Sequence, residues 1–147
     1  MKKVLSVGLA VLMLVLCAIP AFADSMTIST STEQDEWQLA YPADTQIPWE
    51  ASEQALGAVT ATKLWLSPGK TVTVSVASVN DYRLVNKTDA EKSIAYTLSG
   101  ADAIAFLPGE YGKTFPLSAA VAESEWRQAA AGEHTDVLTF TAEYKNA

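Results

Sequence analysis

The chain has 147 residues, with 17 aspartates and glutamates against 10 lysines and arginines, one histidine and one cysteine. That length suits a single domain, and the acidic balance argues against nucleic acid or an anionic membrane as partner, because phosphate contacts need lysine and arginine. A lone cysteine leaves no disulfide framework, and a lone histidine leaves no zinc centre built from several His and Cys ligands.

Lys2 and Lys3 lead an uncharged apolar run from Val4 to Ile19, which Pro20 ends. Ala21-Phe22-Ala23 then places small side chains at the two positions a signal peptidase reads. The run approaches the ~17–25 residues of a membrane span, and Cys17 raises a lipid-attachment alternative. The small-x-small site and the switch to polar sequence at Asp24 favour cleavage, and Val15-Leu16 are bulky for a lipoprotein site. Residues 1–23 are therefore read as a signal peptide. The mature chain is expected to be extracytoplasmic, at the cell surface or in a periplasm, with no membrane insertion after cleavage. Loss of Lys2 and Lys3 with the signal moves the net charge from -7 to -9.

Residues 24–36 read as a flexible N-terminal segment or a first strand, Met26–Thr30. Trp37–Tyr41 opens a domain over 37–147 as a strand. Thr71–Ser78 alternates cleanly, with Val72, Val74 and Val76 on one side and Thr71, Thr73 and Ser75 on the other, which marks a half-buried strand. Ser67-Pro68-Gly69-Lys70 is a turn with a mechanism, since proline presets φ and glycine accepts a positive one. Val59–Leu66 and Thr71–Ser78 are accordingly expected to form a hairpin. Tyr82–Asn86 and Ile94–Ser99 suggest a second strand pair, and Ala103–Leu107 and Thr114–Val121 flank a Pro108-Gly109 turn. Glu123–Ala131 is rich in helix formers with acids first, and Gly132 stands where a helix would stop. Thr135–Tyr144 closes the chain with Leu138, Phe140, Ala142 and Tyr144 on one face. About seven to nine short strands at this spacing predict an all-β, immunoglobulin-like antiparallel β-sandwich with one short helix near 123–131.

Chemistry is sparse along this pattern. His134-Thr135-Asp136 sets an imidazole and a carboxylate on one side of a strand, but no Gly-x-Ser-x-Gly or other nucleophile motif accompanies them. His134 therefore reads as a surface histidine at a strand entrance, and the chain as non-enzymatic, with no cofactor and no metal. Asn86-Lys87-Thr88 matches the glycosylation triplet, yet the short lysine-led signal is of bacterial type, and the triplet is discounted. The four tryptophans, Trp37, Trp49, Trp65 and Trp126, offer a ligand-binding hypothesis, because exposed rings stack on sugars while buried ones fill cores. Trp49, in Ile47-Pro48-Trp49-Glu50, is the one expected at the surface, with Trp37 as its companion candidate. Trp126 is expected to plug one end of the core.

The stretch Gly132-Glu133-His134-Thr135-Asp136-Val137-Leu138-Thr139-Phe140-Thr141 resembles the Gly-x-Tyr-x-Asp-x-hydrophobic-Thr-hydrophobic-Thr ending of the spore coat U-like domains and archaic chaperone–usher pilins of bacteria. Ser93-Ile94-Ala95-Tyr96-Thr97-Leu98 resembles their central Ile-x-Tyr-x-Leu strand. His134 stands where that family has an aromatic residue, and its cysteines are missing. The resemblance implies a surface-structural or adhesive role, and an incomplete sandwich completed by a strand from the next subunit. The donor would be the mature N-terminus, through Met26, Ile28 and Thr30.

Two functions are weighed on this basis. The first is an exported interaction protein that works by protein contacts or self-association at the cell surface. The second is a secreted module that binds a glycan or another small ligand through Trp49 and Trp37.

Overall fold

The computed structural model describes residues 35–147 together with Met26, Ile28 and Ser29. The expected signal peptide and Thr30 of the expected donor strand lie outside the described residues. Met26 and Ile28 are exposed, and neither belongs to a strand.

The body is an antiparallel β-sandwich with one short helix. Its elements are β1 (Glu36–Ala40), β2 (Glu53–Trp65), β3 (Lys70–Ser78), β4 (Arg83–Asn86), β5 (Ser93–Ala95), β6 (Thr97–Ser99), β7 (Ile104–Phe106), β8 (Thr114–Ala120), α1 (Glu123–Gln128), β9 (His134–Thr135) and β10 (Leu138–Asn146). One layer is a four-stranded sheet in the order β1-β2-β8-β6. The other comprises β10-β3-β7 and β5-β4-β9. These two pieces have no strand in common and are joined by two bends of the chain. β3 leads through residues 79–82 into β4, β9 leads directly into β10, and Val79 N–H donates to Val137 C=O across the bend (2.9 Å). Among the described residues no helix is long and apolar enough to cross a membrane.

The Ser67–Lys70 turn forms as expected, with Lys70 N–H donating to Ser67 C=O at 3.1 Å and Gly69 at φ +77°. The hairpin does not form. β2 pairs with β1 and β8, whereas β3 pairs with β10 and β7, so the turn carries the chain from one sheet to the other. The reason lies in the core. Val59, Ala61 and Leu64 of β2 bury against Val72 and Val74 of β3 in one cluster with Ile104, Phe106 and Leu117. Facing strands bury more apolar surface there than neighbours in one sheet could, at roughly 25 cal/mol per Å². The Pro108-Gly109 turn likewise joins β7 and β8 in opposite layers. Tyr96 divides the expected Ile94–Ser99 strand, because β5 pairs with β4 while β6 pairs with β8.

The helix is shorter than expected and ends at Ala129, whose backbone is extended. Gly132, at φ +124°, lies in the loop beyond it. The chain straightens early because Asn86 Nδ2 holds the Ala131 carbonyl at 3.1 Å and steers it towards β9. Glu125 ties the helix to the sheet by accepting the Ala95 N–H (2.8 Å). Trp126 seals the second core cluster with Ile94, Tyr96, Ala119 and Val121, and its Nε1–H donates to Ala51 C=O (2.9 Å).

Candidate functional site

The sandwich is open along one side. β10 pairs only with β3 and β9 only with β4, so both stand at sheet edges. That edge is bare among the described residues. The bond from Val79 to Val137 lies at one end of β10, and Ala147 N–H donates to Gly69 C=O (2.9 Å) at the other. Hydrogen-bonding direction alternates along an antiparallel strand. Odd-numbered residues of β10 therefore bond to β3, and Leu138, Phe140, Ala142 and Tyr144 turn their main-chain groups outward.

Across from this edge runs the segment 42–49, which leaves β1 as a lip without regular structure. It reaches the body because Gly57, at φ +104°, interrupts the β2–β8 register, and a Cβ there would lie 3.1 Å from Pro42 Cβ. Ile47 packs against the second core cluster. The main chain of 43–47 makes no hydrogen bond to another main-chain group among the described residues. Tyr41 and Phe140 meet at the start of the lip (ring centroids 5.2 Å), and Trp49 and Trp126 meet at its end (5.2 Å).

Between lip and edge lies a groove of about 920 Å³. Leu56, Leu84, Ile94, Leu117 and Ala119 are among its apolar lining residues, and Asp44, Gln46, Glu133 and His134 give it a polar rim. It thus combines an apolar floor with the outward main-chain groups of Leu138 and Phe140 on one flank and, on the other, a lip whose 43–47 main chain has one partner among the described residues, Thr45 Oγ1 on the Ala43 carbonyl (3.0 Å).

Asp136 holds the bend of the edge. Its carboxylate accepts from Ser78 Oγ (2.6 Å), Tyr96 OH (2.6 Å), Val137 N–H (2.7 Å) and Asn80 N–H (3.1 Å). Burial alone would raise its pKa, but the bonds from Ser78, Tyr96 and the two amides outweigh burial and hold it below the usual value. The Tyr96 phenol is pushed well up by burial and by the Asp136 carboxylate. Ser78 Oγ in turn accepts the Tyr82 N–H (2.6 Å). This cluster fixes a turn in which Asp81 (φ +55°) and Tyr82 (φ +58°) are both left-handed, at about 1–2 kcal/mol each.

Asn86 is 3 % exposed and fully engaged. Besides holding Ala131, its Oδ1 accepts from Thr88 N–H (2.9 Å), Thr88 Oγ1 (2.8 Å) and Asp89 N–H (3.1 Å). The triplet is thus a local turn motif of the asparagine type. His134 Nδ1 lies 3.1 Å from the Gly132 carbonyl and Nε2 lies 3.4 Å from Asn86 Nδ2, an arrangement that suits a proton on Nδ1.

The two tryptophan candidates are not brought together. Trp37 is half-buried and packs against the first core cluster, whereas Trp49 is 63 % exposed at the groove. Trp65 is also exposed, at 59 %, but does not line the groove. Sequence reasoning passed over the lip, the roles of Asp136 and Asn86, and the groove itself. An asparagine at the end of a strand, two residues before a threonine, was the one available signal. No protein-family model matches the chain, and no curated protein matches it in sequence.

Proposed function

We propose that this is an exported, non-enzymatic interaction protein whose open edge accepts an extended strand from a partner, and that the first such partner is a second copy of itself. The observation that carries the reading is the pairing of an apolar floor with the outward main-chain groups of the β10 edge and a lip whose 43–47 main chain has no main-chain partner among the described residues. A strand laid there would find hydrogen bonds at its margins and burial for alternate side chains, which is the chemistry of strand addition. Residues 24–32 of another copy supply a segment of suitable length, and Met26 and Ile28 stand exposed in the isolated chain. An adhesive or structural role at the cell surface follows from such contacts.

The test is the solution mass of residues 24–147 by light scattering, compared with a form beginning at Thr32 and with the Val137→Lys variant. Val137 is 59 % exposed beside the groove, so a lysine there adds a blocking charge without disturbing the core. Concentration-dependent oligomers that vanish in both comparison forms support the reading. A monomer in all three removes self-association.

A further inference from the structure

We propose that in the monomer the same groove takes a different ligand, the ring of a neutral pyranose sugar, with Trp49 as its platform. The argument begins with an oddity of placement. Trp49 is 63 % exposed, yet its surroundings hold it in place. Pro48 precedes it, Ala51 N–H closes a turn onto Pro48 C=O (3.1 Å), and the Ala51 carbonyl is itself held by Trp126 Nε1–H. Its ring rests against Trp126 with planes tilted by 58°. The next residue, Glu50, sits at φ +61°, a conformation uncommon outside glycine and asparagine. Backbone in such regions persists where surrounding contacts over-determine it and is concentrated at ligand-binding positions. A preorganised indole costs little further entropy on binding.

The surroundings of the indole set the ligand class. Asp44, Gln46 and Glu133 offer donors and acceptors along the same groove, and no lysine or arginine lines it. Asp44 has no cationic partner among the described residues. Glu133 is paired with Lys87 at 2.7 Å, which leaves Asp44 as the rim carboxylate that repels an anionic ligand. A neutral pyranose presents an apolar C–H face to an indole and hydroxyls at its edge to carboxylate and amide groups. The volume of the groove lies within the range of small-molecule sites.

The mature chain, dilute enough to be monomeric, is titrated with neutral oligosaccharides of glucose, galactose, xylose and N-acetylglucosamine, and with an oligouronate as the anionic control. Binding is read by tryptophan fluorescence and calorimetry. Saturable binding of at least one neutral sugar is expected, without binding of the uronate. Trp49→Ala is expected to weaken it by about tenfold or more, as loss of a central aromatic anchor does. Trp65→Ala, which removes an equally exposed ring outside the groove, leaves it unchanged. Trp49→Phe keeps a stacking face and retains part of the affinity, which guards against misfolding of the alanine variant. Absence of binding to every neutral sugar overturns the proposal, as does equal loss in the Trp49 and Trp65 variants. Sugar binding by a monomer through Trp49 stands whatever becomes of strand addition.

Discussion

Replacing Asp136 by alanine should be among the most damaging single changes in the protein. The carboxylate accepts four hydrogen bonds, two from hydroxyls at 2.6 Å and two from main-chain amides. Hydrogen bonds to a charged group contribute about 1.5–3 kcal/mol each, and a partner left unsatisfied while buried costs about 1–3 kcal/mol. Asp136 is only partly buried, so water will reach some of the abandoned donors, and the four terms do not add. A loss of about 3–5 kcal/mol is expected, a large share of a stability of about 5–15 kcal/mol. Asp136→Asn should cost less, about 1–3 kcal/mol, because its carbonyl can still accept the amides and the Tyr96 hydroxyl can turn to accept from its NH₂ group, whereas Ser78 Oγ already accepts from the Tyr82 and Asn80 amides and loses its acceptor. Urea unfolding followed by tryptophan fluorescence measures both, with Tyr96→Phe completing a double-mutant cycle. The Asp136–Tyr96 coupling should exceed about 1 kcal/mol, as for residues in one network. An Asp136→Ala variant within about 1 kcal/mol of the parent would refute the account of how the edge is bent.

The same network predicts the pH profile. Asp136 titrates below its unfolded value of about 3.9, so its contribution is complete well above that pH and is lost as pH falls through the folded value. Tyr96 titrates above its unfolded value of about 10, so stability should also decline as pH rises beyond about 10. Chemical melts from pH 2 to 11 should show both limbs, with the acid limb flattened in Asp136→Asn. Asn86→Ala should cost about 2–4 kcal/mol by freeing the Thr88 and Asp89 amides and the Ala131 carbonyl, and a shift of the melting temperature by only a degree would contradict that. Trp126→Ala should cost about 3–5 kcal/mol and loosen Trp49, visible as a red-shifted, more quenchable emission.

The alternation in Thr71–Ser78 and Thr135–Tyr144 announced two strands and their buried faces, and the proline–glycine turns announced where the chain reverses. Alternation reports which face of a strand is buried, but not which strand lies beside it. For that reason the Ser67–Lys70 turn reads equally well as a hairpin or as a crossing between layers, and the choice belongs to the core that Val59, Leu64, Val72 and Phe106 fill together. Asp136 carries no local signal of its task, since Ser78 and Tyr96 are distant in sequence. The lip at 42–49 lacks any period because it is anchored at irregular points, Pro42, Ile47 and Trp49, and the groove exists only where that lip meets the β9–β10 edge. Trp49 was legible as a surface ring from its proline-led turn. Trp37 was ambiguous until its strand was paired with β2, which turns it inward opposite Leu64.

The measurement closest to the central claim is amide hydrogen exchange along β10, residue by residue, in dilute and concentrated samples of residues 24–147. In the dilute chain the amides of Thr139, Thr141 and Glu143 should be protected by β3, and those of Leu138, Phe140, Ala142 and Tyr144 should exchange freely. Where the mass in solution rises, the second set should slow by about tenfold or more while the first set hardly changes, because a strand has been added to the free side. Even-numbered amides that stay open in the assembled protein would show that the copies associate through another surface, and that the groove is not where a strand enters.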